Sequence, residues 1–148
     1  MFAVSANKVI NYKFTKENTN TKVFKSFILD TFNKLSDEEK KNTLFIMDNH
    51  KSHISKEFLR LVKNKKIKIL YNVPYESPFN CIELSFRHLK NITYKQIFPT
   101  IKNVIEIIER ILCEKKFEET LYKNYIEAIK KYVYYYKIYI DKDLNSVY

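Results

Sequence analysis

The sequence predicts an α/β fold in which helices cover the faces of a β-sheet. Two apolar patterns alternate along its 148 residues. Short runs of β-branched and aromatic residues are typical of strands, and stretches with apolar residues three and four positions apart are typical of amphipathic helices. Their order is a hairpin, a helix, a strand, a helix, a strand and further helices, which favours helices packed on a sheet. A chain of this length can form a single core, since it buries about 68–70% of its unfolded surface.

A β-hairpin and a helix are predicted at the start of the chain. Residues 2–5 and 9–14 are rich in β-branched and aromatic residues and are expected to pair. Asn20 and Thr21 offer a helix cap, and apolar residues then recur at helical spacing up to Leu35.

A strand–helix–strand unit is predicted next, after a polar connector over residues 36–42. Residues 44–47 are expected to form a buried strand that ends at Asp48. Ser55 can cap a helix that runs to about Asn64. Its inward residues are expected to be Phe58, Leu59 and Val62. Residues 67–71 form the next predicted strand.

Three helices are predicted in the second half of the chain. The first begins at Asn80, after a proline-bounded loop over residues 72–79, and carries Glu83. The second begins after Thr100, and its apolar stripe is Ile101, Val104, Ile105, Ile108, Ile111 and Leu112. The last is expected over residues 117–133 and to fray at residues 134–136. No apolar stretch approaches the roughly 18 residues needed to cross a bilayer.

Composition excludes several classes of site. The sequence contains no glycine, so phosphate-cradling loops, dinucleotide fingerprints, nucleophile elbows and calcium loops are excluded. Its two cysteines are too few for a disulfide scaffold or a zinc site, and an intracellular setting is the default expectation. The net charge is +10, carried mainly by lysines. It suits a polyanion bound without much sequence discrimination, and compositional drift explains it equally well.

Asp48 and Glu83 are the candidate catalytic pair. Asp48 closes a predicted strand, and 34 residues lie between it and Glu83. Active sites of open α/β sheets lie at the carboxyl ends of the strands, so two acids can meet there. Carboxylates are hard oxygen ligands that suit Mg²⁺ or Mn²⁺.

The residues around this pair resemble mariner-type transposases with a DDE endonuclease domain. The resemblance covers nearly the whole chain and is strongest over residues 44–90. It rests on the two acids and their spacing, together with Asn49, His53, Pro74, Tyr75, Asn80, Ile82 and Lys90.

The resemblance implies a ribonuclease-H-like sheet with flanking helices and DNA strand cleavage and transfer with two divalent metal ions, Mg²⁺ or Mn²⁺. Asp48 and Glu83 would be metal ligands and catalytic residues, with Asn49 and His53 in supporting positions. Loop-positioning roles fall to Pro74, Tyr75 and Asn80. Lys63, Lys65, Lys66, Arg87 and Lys90 could contact the DNA backbone, although a solvated helix end explains the three lysines at 63–66 equally well. DNA is the expected partner, with a homodimer or a full-length transposase as a further partner and the nucleus as the location in a eukaryote.

The sequence departs from the family pattern at its start. The family places its first catalytic aspartate on a first strand, and residues 1–16 contain no acid. We therefore expect an N-terminally truncated catalytic domain that lacks the first strand. It would have a core over about residues 1–95 and extra C-terminal helices over about residues 99–140. Cys81 and His50 also stand where the family usually has proline and alanine.

Two alternatives stay open at this stage. The chain can be a metal-dependent endonuclease, or a non-catalytic protein: either a remnant that binds DNA or a partner transposase, or, less favoured, a protein-interaction domain that has lost its contact with nucleic acid. Asp48, His50 and His53 could also form a zinc site. Because His53 matches a family position and three such residues without a fourth ligand are common by chance, we favour no zinc there.

Overall fold

The computed structural model describes residues 1–16, 18–72, 80–94 and 100–145, with side chains to residue 134 except that of residue 132. Within these ranges, four strands and six helices follow in the order β1, β2, α1, α2, β3, α3, β4, α4, α5 and α6. This alternation of strands and helices confirms the predicted α/β class.

The hairpin and the first helix form as predicted, with shorter bounds. Strand β1 (Phe2–Val4) pairs antiparallel with β2 (Val9–Tyr12). Helix α1 (Thr21–Asn33) begins after Asn20, whose side-chain oxygen accepts a hydrogen bond from the backbone nitrogen of Val23 at 3.0 Å. This cap satisfies one of the free N–H groups of the first turn.

The predicted polar connector is wrong, because residues 37–42 form a short helix, α2 (Asp37–Asn42). The Ser36 hydroxyl accepts a hydrogen bond from the Glu39 backbone nitrogen at 3.2 Å, and the Glu39 carboxylate accepts one from the Ser36 nitrogen at 2.8 Å. This reciprocal capping box favours a helix even where no apolar stripe marks one. A hydrogen bond from Lys8, at 2.8 Å, is the largest of the effects that lower the pKa of Glu39 to about 2.

The strand–helix–strand unit has parallel strands. Strand β3 (Leu44–Met47) pairs with β4 (Lys68–Tyr71), and helix α3 (Lys56–Lys65) connects them. The prediction that β3 is buried is wrong for one of its faces, since Leu44 and Ile46 are 49% and 55% exposed. Alternate side chains of a strand point to opposite faces, and among the described residues only one face of this pair packs on helices. Leu59 of α3, predicted to point inward, is also exposed.

The strands that the structure describes form two separate two-stranded sheets, β1–β2 and β3–β4, rather than the single sheet predicted. No described strand pairs with both β1 and β3. The hairpin and the parallel pair are therefore joined by side-chain packing and not by backbone hydrogen bonds.

Three helices complete the described chain: α4 (Cys81–Tyr94), α5 (Ile101–Leu112) and α6 (Lys115–Asn145). Helix α5 begins after Thr100, whose hydroxyl accepts from the Asn103 backbone nitrogen at 3.3 Å, as predicted. Helix α6 does not end near residue 134 but continues to Asn145. None of the helices in the described ranges is long and apolar enough to cross a membrane.

Two apolar clusters meet at β1. Phe2 belongs to a cluster with α4, α5 and α6, and Ala3 packs against a second cluster formed by α1, α3 and the β3–β4 pair. Because neighbouring residues of a strand face opposite ways, β1 lies between the two clusters.

Candidate functional site

Asp48 is the first residue after β3 and lies at the carboxyl end of the parallel pair. The end of β4 is held beside it by two hydrogen bonds. The Asn72 backbone nitrogen donates to the Met47 carbonyl at 2.8 Å, and the Asn49 side-chain nitrogen donates to the Asn72 carbonyl at 2.7 Å. Asn49 therefore braces the two strand ends that present Asp48.

The Asp48 carboxylate is exposed at this edge and is oriented from within its own loop. Its Oδ1 atom lies 2.7 Å from Nδ1 of His53 and accepts a hydrogen bond from the His50 backbone nitrogen at 3.2 Å. The Asp48 side chain is 57% exposed. Both contacts use Oδ1, so among the described residues Oδ2 is left available to a ligand.

His53 is held in place from several sides. Its ring stacks on that of Phe24 with centroids 3.9 Å apart, and its Nδ1 also lies 3.1 Å from the Asp48 carbonyl. The Tyr71 hydroxyl donates a hydrogen bond to the His53 carbonyl at 2.7 Å. His53 is therefore a positioning residue for Asp48. Sequence reasoning found His53 but missed Phe24 and Tyr71, which look like ordinary core residues of a helix and a strand.

His50 takes no comparable part. Its Nδ1 lies 2.7 Å from the Ser52 hydroxyl, and its ring centroid is 5.4 Å from that of His53. The residues with described positions contain no group of three or more His, Cys, Asp or Glu side chains placed to hold a metal ion.

Glu83 is the third residue of α4 and is exposed. Its backbone nitrogen donates to the Asn80 carbonyl at 3.0 Å, and the Asn80 side-chain oxygen accepts from the Ile82 nitrogen at 3.3 Å. Asn80 thus organises the turn that presents Glu83. The other predicted loop-positioning residues, Pro74 and Tyr75, lie outside the described residues.

Arg87 and Lys90 lie four and seven positions after Glu83 and are exposed on α4. Residues at this spacing share one face of a helix, so both cations lie on the face that carries Glu83. The positive charge of Arg87 also acts on another residue of the chain, Glu127. A hydrogen bond from Lys131 lowers the pKa of Glu127, and the charges of Lys131 and Arg87 lower it further.

Asp48 and Glu83 lie on elements that belong to different apolar clusters. Helix α4 packs through Phe86 and Leu89 against the cluster of Phe2, whereas Asp48 follows a strand of the other cluster. Since β1 contributes to both clusters, it is one of the elements that connect the two candidate ligands. That their carboxylates converge stays a prediction.

Lys63, Lys65 and Lys66 lie away from Asp48. Helix α3 ends where β4 begins at Lys68, and in the parallel register Lys68 is at the opposite end of the pair from Asp48. The strand length puts these two ends about 13 Å apart, at about 3.3 Å per residue. These lysines and Asp48 therefore face different parts of any bound DNA.

The family of the chain follows from a sequence match over most of its length. Residues 1–105 match the sequence model of the DDE superfamily endonucleases. The chain belongs to the DDE superfamily endonucleases. No curated protein matches this DDE endonuclease chain in sequence.

Solved structures show the same fold. The Mos1 transposase catalytic domain with raltegravir and Mn matches with a TM-score of 0.72 at 16% identity, over 86% of this chain and 70% of that one. The catalytic domain of Mos1 mariner transposase alone matches with a TM-score of 0.71 at 15% identity, over 86% and 68% of the two chains. A chain of a pre-cleavage Mos1 transpososome matches with a TM-score of 0.71 at 15% identity, over 84% of this DDE endonuclease chain and 40% of its own length.

Asp48 and Glu83 each offer the kind of oxygen donor that a hard divalent cation binds. Asp48 offers a solvent-exposed carboxylate oxygen, and Glu83 is an exposed carboxylate in the first turn of a helix. Oxygen donors of this kind suit Mg²⁺ and Mn²⁺ better than softer metals.

Proposed function

We propose that the chain is part of a mariner-like transposase catalytic domain that acts on DNA strands with Mg²⁺ or Mn²⁺. The observation that carries the proposal is Asp48, exposed at the carboxyl edge of a parallel strand pair and oriented by His53. It occurs in a chain whose residues 1–105 match DDE superfamily endonucleases. Metal-bound Mos1 catalytic domains with the same fold support the choice of cation.

In this proposal the residues of the chain have distinct tasks. Asp48 and Glu83 hold the metal ions, which would supply an activated water or 3′-hydroxyl and charge stabilisation in a two-metal site. His53 and Asn49 fix the direction of Asp48 and the position of its loop. Arg87 and Lys90 lie beside Glu83, where their charges would neutralise phosphates of the DNA.

We further propose that the complete fold is a ribonuclease-H-like sheet whose first strand belongs between β1 and β3. Among the described residues, β1 pairs only with β2 and β3 pairs only with β4. Residues of both sheets pack in the same apolar cluster. Such a strand would bring the first aspartate of the family next to Asp48. The core would then span about residues 1–95, and the extra helices about residues 99–140.

DNA is the proposed partner, with a second copy or a full-length transposase as a protein partner, in an intracellular setting. The transpososome among the matching structures and the net charge of +10 support DNA binding. Binding that depends on lysine charges should weaken steeply as salt rises.

The test is Mn²⁺-dependent nicking of supercoiled plasmid by the wild-type chain, Asp48→Asn and Glu83→Gln. The proposal predicts nicking that needs Mn²⁺ and falls at least 100-fold in either variant, since each removes a ligand. As a matched control, Asp37→Asn makes the same change at an exposed position of α2 and should nick normally. Nicking that survives both site substitutions would remove these residues from the site.

A second candidate function is a non-catalytic remnant that binds DNA or a transposase. Two observations favour it: residues 1–16 contain no acid, and no three-ligand group occurs within the described ranges. A chain that binds duplex DNA but neither binds Mn²⁺ nor nicks plasmid would establish this alternative.

A further inference from the structure

Helix α6 has two apolar stripes, and the described part of the chain covers only one of them. The covered stripe includes Phe117, Leu121 and Ala128, which are 1%, 2% and 5% exposed. The second stripe, here called the outer stripe, consists of Tyr122, Ile126, Ile129 and Val133. At 100° per residue its centre lies more than 100° around the helix from the covered stripe.

The outer stripe faces solvent although its residues are large and apolar. Tyr122, Ile129 and Val133 are 55%, 41% and 62% exposed, and Ile126 is partly exposed. Scattered apolar residues need no explanation on a protein surface, but a contiguous row marks an interaction surface.

The spacing of the outer stripe is that of a coiled coil. Its residues are separated by four, three and four positions, and the sequence continues this spacing at Tyr136 and Ile140. An average spacing of 3.5 residues places the row along a seam between two helices that wind around each other. The described helix continues to Asn145, so the backbone of α6 extends beyond the whole row.

The residues at these positions favour a parallel pair of helices. In heptad notation Ile126 and Val133 occupy a positions, and Tyr122 and Ile129 occupy d positions. β-Branched residues at a favour two-stranded parallel coiled coils. The positions that continue the row preserve the pattern, with Ile140 at the next a position.

The charges beside the row also distinguish between orientations. Lys123 and Lys130 occupy the e positions and are exposed, and Tyr125 occupies a g position. An antiparallel pair would place these lysines against each other. A parallel pair would place Lys130 beside Tyr125 of the other helix, where a cation–π contact is favourable, and Lys123 beside Glu118, where an ion pair can form.

We propose that a second copy of this chain packs along the outer stripe, forming a parallel two-stranded coiled coil through α6. The same residues serve both partners, as an isologous dimer requires. The ion pair between Lys131 and Glu127, at 2.8 Å, lies at the f and b positions on the side of α6 away from this seam, so pairing leaves it intact. The proposal needs neither metal nor DNA.

Sedimentation equilibrium on the whole chain without metal or DNA tests the proposal. The wild type is expected as a dimer of about twice the 18.0 kDa chain mass at tens of micromolar. Ile129→Glu with Val133→Glu should weaken dimerisation at least 30-fold. Lys116→Glu, at an exposed position of the same helix, changes the net charge by the same two units and should dimerise like the wild type.

Two further variants keep the result interpretable. Ile129→Ser with Val133→Ser removes apolar surface without adding charge and should also dissociate the dimer, while circular dichroism shows a folded chain. Val133→Cys with Cys81→Ser and Cys113→Ser should form an intermolecular disulfide under mild oxidation, because a parallel pair places both a positions side by side.

Three outcomes overturn the proposal. These are a wild-type monomer at 200 µM, a dimer that the stripe variants leave unchanged, and a stripe-dependent dimer in which Val133→Cys fails to cross-link. Loss of Mn²⁺ binding or nicking with the dimer intact would instead count against the proposed function alone.

Discussion

The Nδ1 atom of His53 lies 2.7 Å from the Oδ1 atom of Asp48, while the His53 ring stacks on Phe24. The candidate metal ligand is thereby connected to the apolar cluster beneath it through one side chain. A carboxylate on an exposed loop would otherwise sample several rotamers. Its orientation here depends on a ring that is only 16% exposed.

Replacing His53 should weaken both the fold and metal binding. We expect His53→Ala to lower the free energy of unfolding by about 1–2 kcal/mol through loss of the stacking contact. Mn²⁺ affinity should fall about tenfold, as for other residues that orient a ligand. Urea titration and Mn²⁺ electron paramagnetic resonance measure the two effects. His50→Ala is the control, since its ring contacts Ser52 and not Asp48, and an equal loss in that variant would contradict the assigned role.

Asn49 should contribute to stability through its bond to the Asn72 carbonyl. That bond is partly buried and 2.7 Å long, so Asn49→Ala should lower the free energy of unfolding by about 1 kcal/mol. Asn64→Ala, at an exposed position of α3, should leave stability unchanged or raise it slightly, since alanine is the better helix former. Similar urea midpoints for both variants would show that the strand ends are not held by this bond.

Phe2 should be the main side chain that joins β1 to the helices around Glu83. Its ring centroid lies 5.9 Å from that of Phe86 and 6.2 Å from that of Phe117. Phe2→Ala is expected to lower the free energy of unfolding by about 3 kcal/mol, because it leaves a cavity between β1 and α4. The same substitution at the exposed Phe14 should remove less than about 1 kcal/mol. A larger drop in melting temperature for Phe14→Ala than for Phe2→Ala would contradict this packing.

The hydrogen bond from Lys8 to Glu39, together with the capping box at Ser36, should make stability depend on pH in acid. Since the folded pKa of Glu39 is lowered to about 2 from 4.5, its contribution is complete above pH 4.5 and disappears as the pH falls to 2. Glu39→Gln should therefore be less stable than the wild type at pH 7, and the two should converge near pH 2. Urea unfolding at several pH values checks this, with Glu38→Gln as the control for net charge. A difference that persists at pH 2 would point to another cause.

Local chemistry made much of the fold predictable from the sequence. Asn20, Ser55 and Thr100 each cap the helix that was expected to follow them. The capping box at Ser36 has the same kind of signal, a serine followed three residues later by glutamate. It was missed because α2 has no apolar stripe.

Burial was harder to predict, because it depends on what lies across from a residue. Leu44 and Ile46 are the apolar residues typical of a buried strand, yet they are exposed because the helices that the structure describes pack on one face of the β3–β4 pair only. The candidate site shows the same limit. Asp48 was predicted from its place at the end of a strand and His53 from the family resemblance, whereas Phe24 comes from a distant helix and only the tertiary structure brings it to His53.

The central claim is that Asp48 and Glu83 hold one metal centre, and paramagnetic broadening by Mn²⁺ tests it most directly. Amide resonances of the isotope-labelled chain are followed during addition of substoichiometric Mn²⁺, with Asp48→Asn as the control. The account predicts that signals of residues 48–50 and 81–84 disappear together at the same Mn²⁺ concentration, and that both persist in the variant. Broadening of one segment while the other stays sharp would contradict it.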